Sequence, residues 1–560
     1  MKSSGTLSPE RLLGLGTTAV LLGIVVAPLA RLAQQALTPS GGAPTLWHTL
    51  SAPVTLNATL NSLVVSAGGT AVAVILGTFY ALLLGLTDIR ARRALVFLLL
   101  LPLMIPPQIT ALSWSQLMGP SSVLLKTLGL APPPGSPNPI YSAWGIALLL
   151  GLQQTPLVFL ALRAGVATLP RDLFEAARCA GADSGRRFVD ILLPLSMPGI
   201  LAGAALSFVS CLDNFGIPAL LGAPIGYNVL STLIYQRLSS FGTSVLTQVA
   251  QLSLLAAGLA LVGLGAQGLL QRRWRRRLNA SSPPLRIVLG QRRLPLEALA
   301  WGLLGSLLGV PTLALLAASM VSAYGLPLDA HTITLTHYGT LLADAMIRAA
   351  VGHSVLLASL AALIAGLIAL PIAYLTAWEK SHLTRILAGL SDLPFALPGA
   401  IVAVAAILLL LKPLPLLGFS LYGTLWIILY AYLLRFLTLA IKPVVSGLAQ
   451  ADPALNEAAR ACGAGLGMRL RTIVWPLASP LLLGSAIMIF LMAINELTVS
   501  ALLWSSGSET LGVMIYNLED GGSTGAAAAL SIATLAGILL LLAALQALAR
   551  RLPVGSLPWS

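Results

Sequence analysis

The sequence predicts an all-α polytopic membrane protein with about twelve transmembrane helices in two parallel six-helix repeats. Three observations predict it. Of 560 residues, 57% are apolar and only 9% are charged, against about 25% charged in a typical soluble domain. Apolar runs of about 20 residues, the length that crosses a bilayer with every backbone group paired inside the helix, recur along the chain. A polar block of fixed spacing occurs twice. So few charges cannot screen so large an apolar surface, which excludes a soluble enzyme.

The spans fall near 11–36, 59–86, 94–117, 140–165, 192–220, 244–270, 297–320, 350–377, 386–411, 421–443, 474–502 and 524–549. In the first, Ala27-Pro28-Leu29-Ala30 loosely resembles a signal-peptide cleavage site. Its apolar stretch exceeds a usual signal core and Arg31 follows directly, so it reads as an uncleaved anchor. Pro102, Pro106 and Pro107 in the third span, and Pro394 and Pro398 in the ninth, predict breaks or kinks. Kinks that line a pathway and kinks that serve packing both fit. Gln153 and Gln154 suit hydrogen bonding between helices. His353 reads as structural or interfacial.

Charge sets the expected orientation. With the N-terminus inside, the far side holds only Arg31, Lys126, Arg237, Arg348 and Lys412 of the 32 basic residues. Both termini are then cytoplasmic. The net charge of +14 is thereby explained without nucleic acid. Segment 271–296 carries Arg272, Arg273, Arg275, Arg276, Arg277, Arg286, Arg292 and Arg293, with Ser281-Ser282-Pro283-Pro284 among them. It reads as a basic cytoplasmic linker, held at the anionic inner leaflet, between a first half at 1–270 and a second at 297–560.

The repeat is specific. Glu175-Ala176-Ala177-Arg178-x-x-Gly181-Ala182 matches Glu457-Ala458-Ala459-Arg460-x-x-Gly463-Ala464 at an offset of 282. The match continues through Arg187/Arg469, Ile191/Ile473, Pro194/Pro476 and Pro198/Pro480, with 12 identities in 26 positions. Upstream, an offset of 292 joins Ser62 to Ser354, Pro102 to Pro394 and Pro106 to Pro398. Six spans per half give the halves one orientation, so both blocks emerge on the same face. Each block (172–194 and 452–476) predicts an amphipathic helix, a glycine turn and a return into the membrane. Asp452-Pro453 and Asp172-x-x-Glu175 look like helix starts. A loop closure needs no such conservation of Glu, Gly and Pro between two copies; a docking surface used twice does.

These residues resemble the signature of the inner-membrane permeases of ATP-binding-cassette importers with the type I fold. The signature is E-A-A, three residues, G, nine residues, I, any residue, L-P. Glu175, Ala176, Ala177, Gly181, Ile191, Leu193 and Pro194 match it fully. Glu457, Ala458, Ala459, Gly463, Ile473 and Pro476 match it with Trp475 in the leucine position. The resemblance implies that each block is a coupling helix seated on an ATP-binding subunit, two copies of which would serve the fused chain. It also implies a periplasmic solute-binding protein as partner. Asp213-Asn214-Phe215-Gly216-Ile217-Pro218 and Asn495-Glu496-Leu497, with Gly507-x-Glu509-Thr510-Leu511-Gly512, look most like the iron(III) permeases, whose relatives carry thiamine, phosphonates or polyamines.

None of the five lysines follows a glycine, so no phosphate-cradling Gly-Lys-Ser/Thr loop is present and ATP hydrolysis is expected on a separate subunit. Three cysteines without a C-x-x-C pair and five scattered histidines offer no metal-ligand spacing; no catalytic residue, metal or cofactor is expected in this chain. Asp213 and Asn214 align with Asn495 and Glu496 near the far ends of the fifth and eleventh spans. Two readings stay open for these four: a weakly acidic constriction on a cation's translocation pathway, or helix-end capping. An ion-coupled secondary transporter shares the six-plus-six plan but has no use for the paired blocks. A membrane enzyme lacks its constellation here.

Overall fold

The computed structural model describes residues 9–38, 44–167, 169–274, 285–413 and 418–548. Among them helices dominate, and the only strand-like pairings are isolated bridges at Thr87–Ile287 and Val321–Ile333. Ten helices are long and apolar enough to cross a membrane, or twelve if each of two bent pairs forms one span.

The first half opens with α1 (Pro9–Leu37), interrupted by a π-helical turn at Leu22–Val26, and α2 (Pro53–Leu86). The third span is interrupted at its prolines, as expected. It breaks into α3 (Arg92–Leu103) and α4 (Pro107–Met118), bent by 100°. Pro106 and Pro107 donate no backbone hydrogen bond, and the residue before a proline is driven out of the helical region, so the helix cannot pass through. Next come α5 (Ala143–Val166), α6 (Arg171–Cys179), α7 (Ser184–Asp213), two short helices, α8 (Gly216–Leu221) and α9 (Leu230–Leu238), and α10 (Val245–Trp274).

The second half runs in the same order. It comprises α11 (Gly290–Ser319), α12 (Ala345–Ala377), α13 (His382–Ala396), α14 (Gly399–Leu410), α15 (Leu425–Gln450) and α16 (Ala454–Ala461). It closes with α17 (Leu466–Ile494), α18 (Thr498–Leu503), α19 (Leu511–Asp520) and α20 (Thr524–Leu548). Helices α13 and α14 meet at 115° around Pro398. Of the expected linker, residues 275–284 lie outside the described residues. Its ends belong to helices: α10 continues to Trp274, and α11 begins at Gly290.

Within each half, the second and fourth spans pack along one another and the fifth lies against both. Small residues set the approach: a Cβ on Gly77 would stand 2.6 Å from the Val158 Cβ, and one on Gly151 2.5 Å from that of Val72. The first span of each half crosses to the other half. Helix α1 packs on α14 and α10, and the Tyr430 hydroxyl donates to the Gly23 carbonyl at 2.7 Å. Helix α11 packs on α4. It is held there by the Tyr80 hydroxyl donating to Ala300 O at 2.8 Å and by an Arg293–Asp88 ion pair. Just before it, the backbone N–H groups of Leu285 and Ile287 donate to the carbonyls of Leu169 (2.9 Å) and Leu86 (2.7 Å). The halves are interleaved.

Candidate functional site

The two blocks have the same local structure. Helices α6 and α16 each end in a glycine at φ +80°, Gly181 and Gly463. The hydrogen bonds are those of a Schellman turn. Gly181 N donates to Arg178 O (3.0 Å) and Ala182 N to Ala177 O (2.9 Å); Gly463 N donates to Arg460 O (2.9 Å) and Ala464 N to Ala459 O (2.9 Å). Each block then re-enters a span through a π-helical turn, Arg187–Leu192 or Leu470–Val474. Glu175, Ala176, Glu457 and Ala458 are exposed, Ala177 and Ala459 half-buried, and Leu173 and Leu455 expose apolar side chains beside them.

The start of the first helix differs from expectation. Asp172 does not cap α6, whose N-cap is Pro170; Glu175 pairs with Arg171 at 2.6 Å instead. Asp452 does accept from Ala454 N at 2.9 Å. Anchoring is also unequal. Buried Arg469 donates to Tyr374 Oη (2.9 Å), Asn456 Oδ1 (2.9 Å) and Glu10 Oε1 (2.6 Å), so the first span fastens the second block. Its counterpart Arg187 bonds only within its own turn, to Asp183 O (3.3 Å) and Ser184 Oγ (3.1 Å), among the hydrogen bonds of the described residues.

At the opposite ends of α7 and α17 the structure brings together Asp213, Asn214, Asn495 and Glu496, and adds a residue the sequence reading did not name. Arg435, on α15 and only 8% exposed, joins both carboxylates. It pairs with Asp213 across the halves and with Glu496 at 3.3 Å within the second half. Asp213 also accepts from Gly399 N at the break between α13 and α14. The cluster thus holds two carboxylates and one guanidinium.

The offset of 282 relates this triad to a second one. Arg435 corresponds to Gln153, Asp213 to Asn495 and Glu496 to Asn214, so every charged member faces an amide counterpart. The counterparts cluster at the other break, though Gln153 does not bridge Asn495 and Asn214 among the hydrogen bonds of the described residues. Asn495 Nδ2 donates to Met104 O (2.9 Å) at the break between α3 and α4, across the halves, and Gln153 Nε2 donates to Ile105 O (2.9 Å) at the same break. Glu496 Oε1 accepts from Val499 N (3.0 Å) just as Asn214 Oδ1 accepts from Ile217 N (3.1 Å), and these are helix caps. Capping and contact between the halves thus coexist, divided between neighbouring residues.

Beyond the triads aromatic rings bring the halves into contact. Phe215 and Tyr235 of the first half, their ring centroids 5.1 Å apart, meet Tyr516 of the second at 6.0 and 6.5 Å. Burial, then the charge of Asp520, pushes the Tyr516 phenol up to about 12 and the Tyr235 phenol up as well, so both stay neutral at physiological pH. On the block side of the triads there is a cavity of about 850 Å³. Its lining runs from Met104 at the break through Leu100, Phe97 and Val96 to Arg92, Arg93 and Arg163, with Leu542 and Gln546 of α20 opposite.

The model of the binding-protein-dependent transport system inner membrane component family matches residues 69–276 and 369–553, one stretch in each half. The chain belongs to this family. It is a permease: the chain is 28% identical, over 89% of its length and 88% of the relative's, to the probable ABC transporter permease protein y4fN of Sinorhizobium fredii. It is 25% identical to the ferric transport system permease protein FbpB of Actinobacillus pleuropneumoniae, over 84% of this chain and 68% of that one. Over 28% of this chain and 60% of the relative's, it is 32% identical to PhnV of Salmonella typhimurium, which is named for 2-aminoethylphosphonate transport. The permease was recognisable from its blocks. Arg435 was overlooked, although a charge inside an apolar span opposite Gln153 was a usable signal.

Proposed function

We propose that this permease subunit imports ferric iron delivered by a periplasmic binding protein, driven by two copies of a separate ATP-binding subunit. The observation that carries the coupling part is the pair of exposed blocks, alike in turn, exposure and re-entry. Each block leads into a helix whose far end bears one member of each triad: α7 ends at Asp213, and α17 is followed by Asn495 and Glu496. Glu175, Ala176, Ala177, Gly181, Glu457, Ala458, Ala459 and Gly463 contact the ATP-binding subunits. Asp213, Asn214, Asn495 and Glu496 line the pathway between residues 1–270 and 297–560. Both termini and the blocks face the cytoplasm, as the distribution of basic residues supports.

Nucleotide closes the ATP-binding subunits, which draws the blocks together and, through α7 and α17, separates the aromatic closure; hydrolysis restores the shut form. Such a cycle needs a ligand with different affinity for the two forms, and nucleotide on the partner supplies it. The cargo assignment rests on the ferric permease relatives, which align over most of the chain, and on the two carboxylates at the triad. The cavity favours a second reading. Arg92, Arg93 and Arg163 line it without an acidic neighbour, which suits an anion such as a phosphonate.

Proteoliposomes holding the permease, its ATP-binding subunit and its binding protein test the proposal. Uptake of ferric iron that requires ATP is the expected outcome. Uptake of a phosphonate instead would select the second reading. Uptake on an ion gradient without the ATP-binding subunit would overturn both.

A further inference from the structure

We propose that Arg435 is a positioning residue, the pin of an electrostatic latch that holds the halves shut at one side of the pseudo-twofold axis only. Three features support it. Arg435 is buried and joins Asp213 of the first half to Glu496 of the second. Asp213 also reaches Gly399 N, so one carboxylate ties the first half to two helices of the second, α15 and α14. On the other side the corresponding set is Gln153, Asn495 and Asn214, and there the bond between halves is a neutral amide-to-carbonyl contact, Asn495 Nδ2 to Met104 O at 2.9 Å.

The two sides are therefore held unequally. Removing one partner of a buried ion pair leaves an uncompensated charge in a medium that solvates it poorly, whereas a neutral hydrogen bond exchanges with little net change. Opening parts Arg435 from Asp213 while the pair with Glu496, within one half, persists. The shut state rests on the ionic side, and the amide side yields first. Asp213, Arg435 and Glu496 thereby set the resting population of the gate independently of which cargo passes.

The test uses the full chain assembled with its ATP-binding subunit in lipid nanodiscs. Cys179, Cys211 and Cys462 are replaced by alanine, and spin labels are placed at Ser239→Cys and Ser523→Cys, two exposed sites flanking the aromatic closure. Without nucleotide, this parent gives a short inter-label distance. Asp213→Asn adds a long-distance population, with the open-to-shut ratio raised on the order of tenfold, the ratio that about 1.4 kcal/mol produces. The triple variant Asp213→Asn, Arg435→Gln, Glu496→Asn copies the amide set that the fold already accommodates on the other side, so it assembles normally and shows the same shift. Arg435→Lys keeps the charge and retains most of the short distance.

Unchanged distances in both amide variants, or Arg435→Lys behaving like the triple variant, overturn the latch. The latch rests on the alternating-access reading above, and the two fail differently. A parent whose distance does not lengthen with bound nucleotide refutes alternating access, whereas a parent that responds beside unresponsive variants refutes the latch alone.

Discussion

At Gly181 and Gly463 the backbone sits at φ +80°, while a Cβ built on either meets nothing within 4 Å. A bulky residue there costs backbone strain and makes no clash, about 1–2 kcal/mol per site for a residue forced into the left-handed region. Replacing both with valine is expected to unwind the block ends and uncouple ATP hydrolysis from uptake, read as ATPase rate against transport in the assembled complex. Asparagine, which tolerates this conformation, should retain most coupling. Arg469 acts through contact: it is 2% exposed and binds Tyr374, Asn456 and Glu10. Arg469→Ala removes three hydrogen bonds and leaves Glu10 only its pair with Arg460, which should cost about 1–3 kcal/mol locally. The expected readout is faster proteolysis at 454–461, with the unanchored block at 171–179 unaffected.

The broken spans show what an element's sequence reveals and what it conceals. Prolines at 102, 106, 107, 394 and 398 announced the interruption, because a missing N–H and a restricted preceding residue are local facts. The bends of 100° and 115° were not legible, since a kink and a full break begin with the same residues and differ in what receives the freed backbone groups. At α3–α4 those receivers are Gln153 and Asn495, which take up the carbonyls of Ile105 and Met104. At α13–α14 the free Gly399 N–H is taken by Asp213. The helices of the two blocks were legible for the opposite reason. Glycine at a helix end, with alanines before it and a proline after the turn, specifies its conformation without help from elsewhere. One start was misjudged, at Asp172, where Arg171 takes Glu175 and Pro170 already occupies the N-cap.

Across the whole molecule, the exchange of first spans decides how the halves hold together. Helix α1 lies on α14 and ties Glu10 to Arg469, while α11 lies on α4 and ties Arg293 to Asp88. These contacts do not pass through residues 275–284. Residues 1–279 and 280–560 expressed as separate chains should therefore co-purify and support transport when assembled with the ATP-binding subunit; recovery of either piece alone as a stable, monodisperse species would contradict the interleaving. The family likeness, the span count and the doubled block were all legible at this scale, because a repeat compares the chain with itself. The contact among Asp213, Arg435 and Glu496 was not, since it joins three segments separated by two different distances along the chain.

A channel assembled from two identical polypeptides must place every ionised group in duplicate, facing its own image. A single chain that carries both halves is free of that constraint, and here one flank is salt-bridged while the other is carboxamide. A partner seated over that end would therefore meet two unlike flanks, and one way round would fit it better than the other.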